Sequence, residues 1–251
     1  MDIFKSFRLD GRRALVTGSS RGIGRSIALA LAQAGADVVY HGTAPSQKLA
    51  DAVAEARADG AKATSVTADL ADPAAVERLA AEVGAVDILV LNASVQKYQS
   101  IELFEPEEFT RQFQVNVAAS LKLIEAFLPA MREKGWGRVL VIGSVNHFRP
   151  AARLITYSAT KSALDNVIRN AAVSHSRYGI TFNTLSPGVI ATDRNAAALA
   201  DPEKVRMLLA GIPAGHFGKS EDCAGAALLL CSDAGAYITG ANLPVTGGMH
   251  L

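Results

Sequence analysis

The stretch Thr17-Gly18-Ser19-Ser20-Arg21-Gly22-Ile23-Gly24 begins at the end of a short apolar run, "RALVT" (Arg13–Thr17), and opens a helical pattern. Two incompatible readings of it decide the fold. Gly18-Ser19-Ser20-Arg21-Gly22 satisfies G-x-S-x-G, the strand-to-helix turn that exposes a nucleophilic serine in α/β-hydrolases. The same residues make a glycine-rich turn whose backbone N–H groups can hold a phosphate at a helix N-terminus. In that second reading Gly18 permits the tight turn, Gly22 the close approach of a pyrophosphate, and Gly24 the packing of helix on sheet. The spacing is G-x-x-x-G-x-G rather than G-x-G-x-x-G.

Outward from this loop, strand-like and helix-like segments alternate. The runs 13–17, 37–41, 63–67, 87–92, 138–143 and 181–186 read as buried strands, and "ANLPV" near the end adds a short one. Helical periodicity marks 23–34, 46–59, 73–83, 106–131, 157–178 and 221–231. Pro73 and Pro106 suit first helical turns, and Gly35, Gly60 and Gly179 suit helix ends. Apolar strands alternating with helices predict a Rossmann-type, doubly wound parallel sheet in a single α/β domain. Ligands then bind beyond the carboxyl ends of the strands.

The 251 residues are 49% apolar and 20% charged, with a formal net charge of +1. This balance supplies a large core and gives no electrostatic basis for binding nucleic acid or a membrane surface. The opening "MDIFKSFRLDGRR" has no apolar signal segment, and no run approaches the ~20 apolar residues that span a bilayer. A cytoplasmic protein is expected. Cys223 and Cys231, about 12 Å apart on a helix, are too distant for a disulfide. The five histidines show no ligand spacing, so no metal is expected.

The second strand ends His41-Gly42-Thr43, without the carboxylate that usually bonds the ribose of NAD. Asp37 opens that strand, ~13 Å from its far end. Arg21 and Thr43 can instead contact a 2′-phosphate, which favours NADP(H) over NAD(H). Tyr157 and Lys161, four apart, share one face of a helix. A neighbouring ammonium favours the phenolate, and such a pair can pass a proton to or from an alcohol oxygen. Ser144 ends the fifth strand, where its hydroxyl can polarise a carbonyl. Asn116 is an amide in the apolar-rich "QVNVAAS", readable as a functional group or as a helix-bending, buried hydrogen-bonding residue.

Taken together, "TGSSRGIG", Asp69-Leu70, "NAS" (Asn92–Ser94), Asn116, Ser144, Tyr157-x-x-x-Lys161, "PGVIAT" (Pro187–Thr192) and "ITGANLPVTGG" (Ile238–Gly248) resemble the short-chain dehydrogenase/reductase family over nearly the whole chain. The resemblance implies that Tyr157 is the general acid in reduction and the base in oxidation. Lys161 would lower its pKa and bind the nicotinamide ribose, Ser144 would polarise the substrate carbonyl, and Asn116 would hold a relay water. It implies a cofactor cleft formed by Gly18, Ser20, Arg21, Gly22, Ile23, Gly24, Thr43, Asp69, Leu70, Asn92, Ala93, Tyr157, Lys161, Pro187, Gly188 and Thr192. Two positions depart from the pattern. Ser94 stands where the family has glycine, and Thr246 where it has aspartate.

Ser94, Gln96, Asn146, His147, Arg149 and Arg153, with Arg194-Asn195, make the expected substrate surround polar, and 193–215 reads as a lid. A small polar or anionic substrate is therefore expected: a sugar, polyol or hydroxy acid. The alternative is reduction of a 3-oxoacyl-(acyl carrier protein). Outside this class stand an NADP-binding sensor or scaffold and a serine hydrolase acting through Ser20. The resemblance further implies a homo-oligomer, dimer or tetramer, paired through the helices after strands four and five.

Overall fold

Strands buried at most positions need cover on both faces, and the computed structural model, which describes residues 2–251, has it on both. Seven strands form one sheet: β1 Arg13–Val16, β2 Asp37–Gly42, β3 Ala63–Thr67, β4 Ile88–Leu91, β5 Gly137–Ile142, β6 Ile180–Pro187 and β7 Asn242–Val245. Their order is β3-β2-β1-β4-β5-β6-β7, and every neighbouring pair is parallel. The chain builds outward from β1 to β3, then crosses back to place β4 on the other side of β1. The connections leaving the paired carboxyl ends of β1 and β4 therefore run to opposite faces of the sheet and leave a crevice at this topological switch point.

Alternate residues of each strand feed opposite cores. Ala14, Val16, Val38, Tyr40, Ile88 and Val90 pack with Ile27 and Leu31 of α1 (Gly22–Gln33), Leu49 and Val53 of α2 (Gln47–Ala58), and Leu230 of α9 (Ala224–Cys231). Leu15, Val39, Leu89 and Leu91 pack on the other face. They meet Leu79 of α3 (Pro73–Val83), Leu123 and Phe127 of α5 (Ala119–Lys134), and Leu164 and Ile168 of α6 (Ile155–His175). At roughly 25 cal/mol per Å² of apolar surface removed from water, this two-sided burial is the dominant stabilising contribution.

The helix expected over 106–131 is longer and interrupted. It runs as α4 (Pro106–Phe113), a π-helical turn at Gln114–Ala118, and then α5 to Lys134. The helix expected over 157–178 is α6, which starts earlier at Ile155 and ends at His175 before a 3-10 turn at Ser176–Tyr178. The one expected over 221–231 opens as a 3-10 turn, Ser220–Cys223. Between β6 and α9 lie α7 (Ala196–Leu199) and α8 (Pro202–Leu209), the latter started by Pro202 and by Asp201, whose carboxylate accepts from the Glu203 and Lys204 N–H groups. Cys223 and Cys231 are both buried free thiols. Among the described residues, no helix is long and apolar enough to cross a membrane.

The end of β2 is stitched to the loop after β1 by His41. Its Nδ1 accepts from the Gly18 N–H (3.1 Å), and its Nε2 lies 3.1 Å from the Ala68 carbonyl. A carbonyl only accepts, so the hydrogen-bond network assigns the proton to Nε2. The Ser19 N–H donates to the His41 carbonyl, and the His41 N–H donates to Ser19 Oγ, both at 2.9 Å. Burial pushes the imidazole pKa down to about 4. The unfolded chain takes up a proton near 6.5, so the stability carried by neutral His41 is whole above that pH and is lost as pH falls toward 4. His41→Gln is expected to be less stable than the parent at pH 7. The gap in urea-unfolding free energy should narrow by up to about 3 kcal/mol by pH 4, and a gap that does not change with pH would refute this.

Candidate active site

The loops leaving β1 to β6 enclose a cleft of about 660 Å³ at the carboxyl edge of the sheet. Its floor is the loop Thr17–Gly24. Gly18 and Gly22 adopt φ of +64° and +56°, a left-handed backbone open to glycine at little cost. A Cβ at Gly18 would lie 2.9 Å from Ala93 Cα, and one at Gly24 would lie 2.3 Å from Asn92 Nδ2. The N–H groups of Ser20 and Arg21 donate to nothing among the described residues, and α1 begins behind them without a side-chain cap. Orphan donors at a helix start, in a cradle that a Cβ would fill, fit the pyrophosphate of a dinucleotide.

Asn92 forms this cradle from below. Its Nδ2 donates to the Thr17 and Gly18 carbonyls (2.9 and 3.0 Å), while Thr17 Oγ1 accepts from the Asn92 and Ala93 N–H groups (3.0 and 3.1 Å). Ser20, Arg21, Ile23, Thr43, Asp69, Leu70, Pro187, Gly188 and Thr192 also line the cleft. Arg21 lies 3.4 Å from the carboxylate of Asp193, which also accepts from Lys48 Nζ at 2.5 Å. These two cations hold the Asp193 carboxyl below its ordinary pKa, the Lys48 hydrogen bond first. Lys48 escaped the sequence reading, because one lysine at the start of α2 has no motif around it. Ser20 has no base. The histidine nearest in the fold, His41, has both ring nitrogens committed to Gly18 and Ala68.

Ser144, Tyr157 and Lys161 line the other end of the cleft. Ser144 Oγ accepts from the Asn146 N–H at 3.2 Å, so its hydrogen is left to donate. Lys161 is buried and donates to the Ile142 carbonyl at 2.7 Å, with Nζ 5.6 Å from the centre of the Tyr157 ring. Burial raises the Tyr157 pKa. Against it act the charge of Arg194 and then hydrogen bonding by Ser144, Arg194 and Ser94. Lys161 is pushed down to about 7, by burial first and by repulsion from Arg194 second. On Tyr157 the charge that favours the phenolate against burial comes from Arg194.

Asn116 does not line the cleft. The π-helical turn directs it to Val95, from whose N–H its Oδ1 accepts (2.8 Å). Its Nδ2 donates to the Val95 carbonyl and to Thr160 Oγ1 (2.9 and 3.0 Å). Both amide hydrogens are used, so the side chain ties the loop after β4 to α6. Thr160 Oγ1 in turn donates to the Tyr157 carbonyl at 2.7 Å.

Of the expected substrate residues, Ser94, Gln96 and Asn146 line the cleft. His147, Arg149 and Arg153 do not. His147 Nε2 turns to Asp165, 3.6 Å away, Arg149 donates to the Gly211 carbonyl at 3.3 Å, and Arg153 lies over the Tyr98 ring at 5.8 Å. Tyr98, Arg111, Leu208 and Met249 line it instead, none of them carrying a motif. From the segment 193–215, Asp193, Arg194, Asn195 and Leu208 line the cleft, and the Ile190–Gly218 bridge joins the chain on either side of it. Thr246, where an aspartate was expected, bonds His250 Nδ1 at 2.7 Å and approaches the backbone of Gly188.

A family model described as enoyl-(acyl carrier protein) reductase matches residues 18–250. The chain is 38% identical to the 3-oxoacyl-[acyl-carrier-protein] reductase of Escherichia coli over 96% of its length and 98% of that protein. It is 35% identical to the gluconate 5-dehydrogenase of Gluconobacter oxydans, over 97% of this chain and 96% of that one. A crystal structure of a 3-oxoacyl (acyl-carrier-protein) reductase from Agrobacterium tumefaciens with NADP bound superposes with a TM-score of 0.95. The two are 38% identical over 99% of this chain and 98% of the other. With the family model, the sequence relatives and the superposition in agreement, the chain belongs to the short-chain dehydrogenase/reductase family of NAD(P)-dependent oxidoreductases acting on CH–OH groups.

Proposed function

We infer that the protein is an NADP(H)-preferring oxidoreductase that interconverts a secondary alcohol and a ketone on a small, polar, anionic substrate. The observation that carries this reading is the convergence of Ser144, Tyr157 and the unneutralised Arg194 at one end of a cleft whose other end holds Arg21. The dinucleotide, when bound, supplies or accepts the hydride. In reduction the Ser144 hydroxyl donates to the substrate carbonyl oxygen, and Tyr157 gives its phenolic proton to that oxygen. In oxidation Tyr157 takes the proton back. Lys161 is the cation beneath the site, held against the Ile142 carbonyl. Arg21 and Lys48, now sharing Asp193, are the cations that would hold a 2′-phosphate, with Thr43 beside them. Exposed apolar side chains Leu121 on α5 and Val173 on α6 support assembly as a dimer or tetramer through those helices.

The second reading, reduction of a 3-oxoacyl group on an acyl carrier protein, is favoured by the names of the Escherichia coli and Agrobacterium tumefaciens relatives. Purified protein assayed with NADPH and NADH against oxo-acids, keto-sugars and an acetoacetyl thioester separates the two. Turnover of the thioester alone would overturn the first reading. Tyr157→Phe is expected to keep nucleotide affinity and lose activity by about 10²–10⁴-fold; substantial residual turnover would remove Tyr157 from its role. Arg21→Ala is expected to weaken NADPH about tenfold and NADH much less. Asp193→Asn should tighten NADPH, because it releases both cations. Equal effects on the two nucleotides would refute the 2′-phosphate assignment.

A further inference from the structure

The charges along the cleft do not cancel where the substrate binds. Its acidic lining residues are Asp69 and Asp193. Asp69 Oδ1 accepts from the Ala71 N–H at 2.9 Å, and Asp193 is taken by Lys48 and Arg21. Of the lining arginines, Arg21 pairs with Asp193 and Arg111 with Glu108 at 3.2 Å. Arg194 alone has no carboxylate partner among the described residues.

Arg194 is nevertheless held in place. Nη1 donates to Ser94 Oγ at 3.1 Å and Nη2 to the Ser94 carbonyl at 2.7 Å. These neutral acceptors fix the plane of the guanidinium without spending its charge. The hydroxyl bond exists only because position 94 carries a side chain where the family resemblance calls for glycine. This contact explains the departure: Ser94 orients a cation. The guanidinium, Ser94, Ser144 and Tyr157 line the same cleft, so the charge lies in the space that holds the groups handling the substrate oxygen. A planar fork with a free positive charge and fixed orientation matches a carboxylate, which it can bind through paired, charge-assisted hydrogen bonds.

We propose that Arg194, latched to Ser94, is the specificity-determining residue of this active site and binds the carboxylate of a short hydroxy- or oxo-acid close to its reacting carbon. The proposal rests on the oxidoreductase reading above. It adds the chemical class of the substrate and the residue that selects it. A neutral ketone of the same size lacks the partner that Arg194 offers, and an oxo-acid methyl ester isolates that difference.

Two measurements test it. The first is calorimetric titration of the protein with malonate, which needs no turnover. The parent is expected to bind malonate, Arg194→Met to lose that binding, and Ser94→Gly to weaken it severalfold, because the cation remains but its orientation is released. The second is the ratio of kcat/KM for a short oxo-acid to that for its methyl ester. It should favour the acid in the parent and fall by about 10–100-fold in Arg194→Met, with partial recovery in Arg194→Lys. Malonate binding and an acid-to-ester ratio that survive Arg194→Met would overturn the proposal. A protein inactive on acids and neutral ketones alike would count against the oxidoreductase substrate reading, while the malonate titration would still decide the role of Arg194.

Discussion

A clasp between Thr17 and Asn92 holds together the two strands whose connections part at the switch point, and the functional edge of the sheet depends on it. The Asn92 carboxamide fills the space beside Gly24 so closely that no side chain fits there. That contact sets the start of α1 and with it the orphan N–H groups of the glycine loop. The same loop after β4 continues to Val95, whose backbone is gripped on both sides by Asn116. Asn116 bonds Thr160, and Thr160 bonds the Tyr157 carbonyl. A continuous run of hydrogen bonds therefore joins the nucleotide cradle to the helix that carries the proton donor. The register between the two ends of the cleft is built into the scaffold.

The proton chemistry is governed by a contest between burial and charge. Tyr157 and Lys161 are both buried, and the low dielectric disfavours phenolate and ammonium alike. Burial pushes the Lys161 ammonium down to about 7, and repulsion from Arg194 adds to the effect. Arg194 acts on both groups with the same sign of potential, helping the phenolate and hindering the ammonium.

The fold was legible because its signals are local. Strand runs rich in apolar residues, glycines after helices and a glycine loop after β1 all lie within a few residues of the structure they specify. The cleft-lining places of the glycine loop, Ser144, Tyr157 and Lys161 were legible at strand ends and on one helix face, and their roles came from the family resemblance. The rest depends on tertiary neighbours. Asn116 sits in a π-helical turn and bonds Val95 and Thr160, and no residue type announces such a turn. His147, Arg149 and Arg153 are close to Ser144 or Tyr157 in sequence, but Asp165, the Gly211 carbonyl and Tyr98 draw them elsewhere. Lys48 and Arg111 reach functional ground from elements whose sequence is unremarkable.

Asp193 and Arg194 are consecutive residues of a single 3-10 turn, yet they reach opposite halves of the cleft. One answers to Lys48 and Arg21 and the other to Ser94. One peptide unit separates the two side chains, so any coupling between the occupancies of the two halves would pass through it. Linkage of this kind is reciprocal: whatever factor the acid imposes on nucleotide affinity, the nucleotide imposes on the acid. Nucleotide titrations with and without malonate measure that factor, and a value of one would mean that the turn yields at each end independently. The lid is in this sense a balance beam as well as a cover, with its pivot at the bond between residues 193 and 194.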